Sequence, residues 1–294
     1  MRPLQDLLVV DLTRYLPGPF ASRELQGLGA RVVRLLPPDG DPMERLAPDW
    51  HRALNDGKET VVIDLKADPE AGRDLCSEAD VVLESFRPGV VDRLGVGPSA
   101  LPDSIVYCSF TGFGRDESRA GHDLNYQGYA GLLADTAPAM PPTQIADLAG
   151  GALAAVTRIL AALLERARTG RGAHIVVSLT HGAYSLVSHR LDGERIPRLL
   201  TGGLACYGIY ATADSRYLTI AALEPHFFAR LCELLDLSQL VEGQYEPEAQ
   251  ERIAAALAER IASRPLSAWL ELFDGEDVSV GPVATVEEAA RELG

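Results

Sequence analysis

Lysine is nearly missing from this 294-residue sequence: only Lys58 and Lys66 occur, so arginine carries almost all of the positive charge. The skew reads as codon bias and carries no functional weight. Basic residues are also outnumbered, 27 against 42 acidic, for a formal charge of −15. Nonspecific nucleic-acid binding rests on neutralising phosphates, so no nucleic-acid partner is expected. An anionic ligand can still be held by local cations and backbone N–H groups. Cysteine is sparse, and Cys76, Cys108, Cys206 and Cys232 form no C-x-x-C pair. Reduced core thiols are the expected state, with no metal site. The longest apolar stretch, Ala152 to Leu164, is broken by Thr157 and Arg158. It reads as too short for a bilayer, so no membrane partner is expected. Met1 to Leu12 carries Asp6 and Asp11 within its short apolar run, which does not suit a signal peptide, and a cytoplasmic protein is expected. No G-x-G-x-x-G follows the first strand, and Walker A, H-E-x-x-H and G-x-S-x-G motifs are absent. No nicotinamide, flavin or metal cofactor is implied.

What is present is an ordinary globular composition, 47% hydrophobic and 23% charged, with apolar residues spread too evenly for disorder. Through the first two thirds, β-rich runs alternate with helical patterns. Leu7–Val10, Arg31–Leu36, Thr60–Leu65, Val81–Leu83, Ile105–Cys108 and Ile175–Val177 read as strands. Helical stretches end near Gly27 and run from about Pro69 to Glu78. This alternation predicts an α/β fold, with a large doubly wound, mainly parallel sheet covered on both faces. We place a large domain at 1–187, a linker at 188–203 and a smaller α+β domain at 204–285. In the smaller domain Tyr207–Thr212 and Tyr217–Ala221 form a hairpin, followed by helices near Pro225–Leu235, Pro247–Ser263 and Leu266–Phe273 and a strand near Val278–Val283. Residues 286–294 read as a short C-terminal tail.

One constellation carries chemistry. Gly121-His122-Asp123-Leu124-Asn125-Tyr126 opens a helical pattern, and Gln144-Ile145-Ala146-Asp147-Leu148-Ala149-Gly150-Gly151 opens a second. Each helix start carries an ionisable side chain, and the partial positive charge there suits an enolate or a carboxylate. Read singly, His122 is a surface or capping histidine, Asp147 a helix N-cap and Glu224 a helix-start carboxylate before Pro225. Asp123 reads mostly as a cap whose side chain does no chemistry. His51, His174, His181, His189 and His226 share no spacing and are given no role.

Taken together, these pieces occur in a known order. V-V-D-L-T-R-Y-L-P-G-P-F-A, L-G-A-R-V-V-R-L, N-D-G-K-E-T-V-V-I-D-L-K, A-D-V-V-L-E-S-F-R-P-G-V-V-D-R-L-G-V-G and S-F-T-G-F-G come first. G-H-D-L-N-Y, A-D-L-A-G-G, R-T-G-R-G, Y-A-T-A-D-S-R-Y and A-L-E-P-H-F follow. Over residues 4–290 the chain resembles the class III CoA-transferase family, and within it the alpha-methylacyl-CoA racemases. The resemblance implies a large α/β domain joined to a small one, two chains interlocked as a homodimer, and an acyl-CoA substrate. It implies His122 and Asp147 as the two proton-transfer groups, with Glu224 orienting the histidine. The developing oxyanion needs preorganised donors, and the Asp123 N–H at its helix start is the candidate. Coenzyme A enters only as part of the thioester substrate. By the same resemblance Val62, Ile63, Asp64 and Leu65 line the adenosine side. Phe86, Arg87 and Arg93 meet the nucleotide phosphates, where arginine gives bidentate contacts. Gly121, Leu124, Asn125 and Tyr126 belong to the motif around the pantetheine arm and thioester, which the Leu16–Pro19 turn also flanks. Three departures accompany it: Pro37 stands where these racemases commonly have an arginine, the stretch between the domains at about 186–203 is short and basic, and the family's returning C-terminal tail is absent before Gly294.

The expected reaction is racemisation at the α-carbon of a 2-methyl-branched acyl-CoA. That inversion needs two acid/base groups on opposite faces of a planar enolate, and histidine is suited to giving and taking protons near neutrality. Two alternatives accompany this reading. One is a CoA-transferase in which Asp147 is the nucleophile and forms an acyl-aspartyl anhydride. The other is a non-catalytic acyl-CoA-binding member of the family.

Overall fold

Valine-rich runs that alternate with helices build a parallel sheet whose residues can be buried on both faces. The computed structural model describes residues 2–134, 136–187, 200 and 202–293. The chain divides into two compact units, Met1–His189 and Arg190–Gly294. Most of the expected 188–203 linker, with His189, lies outside the described residues.

In the larger unit β1 (Leu8–Asp11) is followed by α1 (Pro17–Gly27), β2 (Arg31–Leu36), α2 (Met43–Leu46), α3 (Pro48–Asn55) and β3 (Glu59–Val62). Then come α4 (Pro69–Ser77), β4 (Val81–Glu84), α5 (Val90–Arg93), β5 (Val106–Thr111) and α6 (Asp123–Tyr129). A π-helical stretch, Ala146–Leu153, runs directly into α7 (Ala154–Thr169), β6 (His174–Ser178) and α8 (Leu179–Ser185). The six strands are ordered β3-β2-β1-β4-β5-β6, and every pairing is parallel. Alternation along each strand feeds two cores, because successive side chains point to opposite faces. Val9, Val32, Val81, Leu83, Val106 and Cys108 join the core that also holds Ala155 and Ile159 of α7. Val10, Leu35, Val82 and Tyr107 join the core on the other face, with Cys76 of α4 and Val91 of α5. The doubly covered α/β sheet is therefore as expected, although β3 ends at Val62 and the residues to Leu65 leave the strand. All four cysteines are free and buried.

The smaller unit pairs β7 (Tyr207–Ala211), β8 (Tyr217–Ala221) and β9 (Val280–Pro282) in one antiparallel sheet. It carries α9 (Pro225–Leu234), α10 (Gln250–Ile261), α11 (Leu266–Phe273) and α12 (Val286–Leu293). Its core is built around fully buried Trp269, whose indole N–H donates to the Ile261 carbonyl at 2.8 Å. The stretch expected as a tail forms helix α12, held to the turn before β8 by two hydrogen bonds from the Arg216 guanidinium to the Glu288 carboxylate.

The helix that follows A-D-L-A-G-G corrects one expectation. Ala146–Thr169 is a continuous run of 24 residues, long and apolar enough by length and composition to cross a membrane. Thr157 and Arg158 do not end it, because both sit on its exposed side. Its apolar face has a partner of its own: Ala146, Ala152, Ala155, Val156 and Ile159 are packed in the core of the larger unit.

Candidate active site

In a parallel sheet, every segment that follows a strand emerges at the same edge. The strand order reverses between β1 and β4, and ligands of open α/β sheets bind in the crevice outside such a switch point. The sequence places its candidates there. Tyr15 follows β1, Phe86 and Arg87 follow β4, and Gly121 and His122 follow β5.

His122 is the N-cap of α6, with extended backbone, and its side chain is exposed. Asn125 turns back to accept the His122 N–H through Oδ1 at 3.1 Å, which fixes the entry into the helix. Leu124 and Asn125 are exposed beside it. The Asp123 and Leu124 N–H groups fall in the first turn, where a helix supplies no acceptor of its own. Asp123 itself is not the cap. Its side chain is buried, with Oδ2 accepting from Gln127 Nε2 at 2.5 Å and Oδ1 accepting from the Asp147 backbone N–H at 2.9 Å. The carboxylate expected to be idle is thus the tie between the two helix starts. It links the residue next to His122 directly to Asp147.

Asp147 is not a cap either. The N-cap is Ile145, and Asp147 lies inside the first turn of the π-helical stretch, with its Oδ1 buried and unpartnered among the described residues. Burial, and then the negative charge of Asp123, push its carboxyl up to about 7. A π-helical turn is uncommon and recurs at functional sites. Here the packing accounts for it: a Cβ on Gly150 would lie 2.5 Å from the Ala183 backbone nitrogen, and one on Gly182 would lie 1.9 Å from the Gly150 carbonyl oxygen. Two glycines let α8 and the π-helix touch backbone to backbone, and that contact sets the register carrying Asp147.

Tyr126 sits under the motif. It is buried, its hydroxyl donates to the Gly121 carbonyl, and Phe113 packs edge-on against it at 5.3 Å between ring centroids. Burial, reinforced by the charges of Asp147 and Asp123, pushes its phenol up to about 12. Its role in this structure is to hold Gly121 in place.

The nucleotide-side candidates divide. Val62 and Asp64 are exposed and Ile63 half-buried, but Leu65 is a core residue and so cannot line a ligand site. Its side chain packs against α4 so closely that a Cβ on Gly72 would meet it at 2.1 Å. Phe86 is half-buried against the same core, while Arg87 and Arg93 are exposed and carry no ion pair among the described residues. Those two guanidinium groups are available to an anion. Glu224 lies in the smaller unit, exposed at the N-cap of α9, and its side chain caps nothing.

Two residues at this edge escape a reading from sequence. Glu84 ends β4 with 4% exposure, and burial pushes its carboxyl up to about 7 despite hydrogen bonds from Ser109 and the Phe86 N–H. In the sequence it is merely the polar end of an apolar run. Tyr15 carries a positive φ of 72° and places its ring 6.1 Å from the His122 ring. Nothing in the pattern L-T-R-Y-L-P marks that backbone.

With this geometry in place, the relatives are informative. The sequence profile of CoA-transferase family III matches residues 4–293. The chain is 35% identical to alpha-methylacyl-CoA racemase of Homo sapiens, a match covering 97% of this chain and 78% of the relative. It is 32% identical to acetyl-CoA:oxalate CoA-transferase of Acetobacter aceti, covering 98% and 82%. The crystal structure of Rv3272 from M. tuberculosis superposes with a TM-score of 0.85 at 28% identity, over 99% of this chain and 84% of that one. Relatives named as a racemase and as a CoA-transferase thus both match nearly the whole of this chain, and the chain belongs to CoA-transferase family III.

Proposed function

We propose that this protein is an acyl-CoA racemase that inverts the α-carbon of a 2-methyl-branched thioester, with His122 and Asp147 as the two proton-transfer groups. One observation carries the reading. Asp147 presents a buried, unpartnered carboxylate oxygen from a helix start hydrogen-bonded through Asp123 to the start that bears His122. A carboxyl pushed up to about 7 is populated in both protonation states near neutral pH, as a group that alternately takes and returns a proton requires. One group removes the α-proton, and the C–H electron pair moves into the carbonyl to give an enolate. The other, protonated at the outset, delivers its proton to the opposite face. The two groups end the turnover with their protonation states exchanged and the proton count unchanged. In this reading the first-turn N–H groups of α6, that of Asp123 foremost, meet the developing oxyanion, an interaction typically worth roughly 3–4 kcal/mol in the transition state. Arg87 and Arg93, without an ion pair among the described residues, supply cations for the phosphates of the coenzyme A moiety.

The test is proton exchange. In D₂O, without any acceptor acid, the protein is expected to place deuterium at Cα of a 2-methyl-branched acyl-CoA. His122→Ala is expected to lose about a hundredfold in that rate. A second reading is favoured by the 32% identity to a CoA-transferase: Asp147 as nucleophile, forming a mixed anhydride with the acyl group. It predicts no deuterium, movement of CoA only when a second carboxylate is supplied, and an enzyme-bound acyl group that hydroxylamine traps. That outcome would overturn the racemase reading.

A further inference from the structure

The turn after β1 is held more firmly than its length requires. Buried Asp11 accepts from the Thr13 N–H at 2.8 Å and from the hydroxyls of Thr13 and Ser22. Lys58 reaches in from the start of β3, and its ammonium donates to the Pro19 carbonyl and the Ser22 hydroxyl, both at 2.8 Å, and to Asn55 Oδ1 at 3.1 Å. Thr13 also fills the space beside Gly18, where a Cβ would lie 2.0 Å from its hydroxyl oxygen. Out of this clamped turn comes Tyr15, in the left-handed region with φ of 72° and with 45% of its surface exposed. Left-handed backbone at a bulky residue persists only when its surroundings enforce it, and it concentrates at functional sites. Stability does not explain this tyrosine, since it accepts a strained backbone and gains little burial in return.

Its position does. The ring meets the His122 imidazole edge-on, at 6.1 Å and 68°. Other aromatic rings of this unit already carry a cation: Arg119 lies over Phe113 at 4.6 Å and over Tyr129 at 4.9 Å, and Arg23 lies over Phe20 at 4.5 Å. Tyr15 has no such partner among the described residues, and nearly half of its surface is exposed. We infer that Tyr15 determines acyl specificity: its partly exposed ring is a flat wall beside His122 that favours a planar aromatic substituent on the α-carbon over a flexible aliphatic one. Offset or edge-to-face aromatic pairing supplies the preference. The inference rests on the reading of His122 as a group at the reacting carbon.

The test compares binding and exchange for two thioesters, 2-phenylpropanoyl-CoA and 2-methylhexanoyl-CoA, with free CoA as a third ligand. The wild type is expected to bind the aromatic thioester about five- to tenfold more tightly than the aliphatic one. Tyr15→Phe keeps that ratio. Tyr15→Ala brings it to about one, with affinity for free CoA unchanged, which also shows that the variant is folded. A wild type with no preference, or a ratio untouched in Tyr15→Ala, overturns the inference. If no deuterium enters either thioester but the binding ratio behaves as stated, the proton-transfer reading falls while Tyr15 keeps its role.

Discussion

Asp147→Asn is expected to abolish exchange at the α-carbon, by about a thousandfold or more, and at the same time to make the protein more stable above neutral pH. Both effects come from one fact: a carboxylate oxygen is buried without a partner and its carboxyl is pushed up to about 7. The amide can neither take nor return a proton, so the catalytic loss follows from chemistry and not from packing. For stability the sign follows from linkage. A carboxyl raised from its ordinary 3.8 is easier to keep in the fold when neutral, so its contribution is fully present below about pH 4. That contribution is lost progressively as pH rises through 7, where the native state must hold a buried charge. Asn carries no such charge. The variant should be no more stable than the wild type at pH 4 and exceed it at pH 8 by roughly 2 kcal/mol, a figure discounted for the amide's own unsatisfied N–H groups, whose cost is the same at both pH values. Denaturant melts at the two pH values check this, together with a wild-type exchange profile that falls on its acid side near pH 7. A variant whose advantage over the wild type is no larger at pH 8 than at pH 4 would mean that Asp147 is solvated in solution, and the catalytic proposal would lose its physical basis.

Much of this arrangement is legible in the sequence because it depends on local pattern. The Val9/Val10 and Val81/Val82/Leu83 runs state both that there are strands and that both faces are buried, and the structure distributes them between two cores. The starts of α6 and of the Ala146 helix are marked by G-H-D and A-D-L-A-G-G. What those residues do there is a different matter. Asp123 and Asp147 both look like caps, since Asp near a helix start usually is one. Only the approach of the two helices turns one into a tie and leaves the other bare. The π-helical register has no signature in propensity, because it is imposed by α8 from outside. The Gly150-Gly151 pair was the available hint, since adjacent glycines inside an apolar helix ask what backbone comes close. Leu65 misleads for the complementary reason. V-V-I-D-L is a β-rich apolar run that reads as a strand, but β3 ends at Val62 and the chain turns inward, so that Leu65 lands in the core. Strand order, and with it the switch point where Tyr15, Glu84 and His122 gather, is a tertiary property that no window of sequence contains.

The contact that imposes the register gives the second large effect. Gly182→Ala is expected to destabilise the larger unit by about 3 kcal/mol or more, at the upper end for overpacking, because the obstacle is backbone on both sides. The new methyl would fall 1.9 Å from the Gly150 carbonyl oxygen and 2.5 Å from its carbon, and neither atom can rotate away as a side chain would. Either α8 retreats from the sheet or the π-helical turn is lost. In both cases Asp147, four residues or fewer from the collision, changes its height relative to α6 and gives up the Asp123 hydrogen bond. Exchange should therefore fall even at temperatures where the variant remains folded, and thermal melts should drop by about 6–12 °C. Gly128→Ala is the matched control. It also replaces a helical glycine in this unit, but nothing lies within 4 Å of its Cβ, and it is expected to leave stability unchanged or raise it by up to about 1 kcal/mol. If both variants melt like the wild type, α8 and the π-helix do not touch as described. If Gly182→Ala melts low but retains full exchange, Asp147 does not need that register, and the backbone contact serves the fold alone.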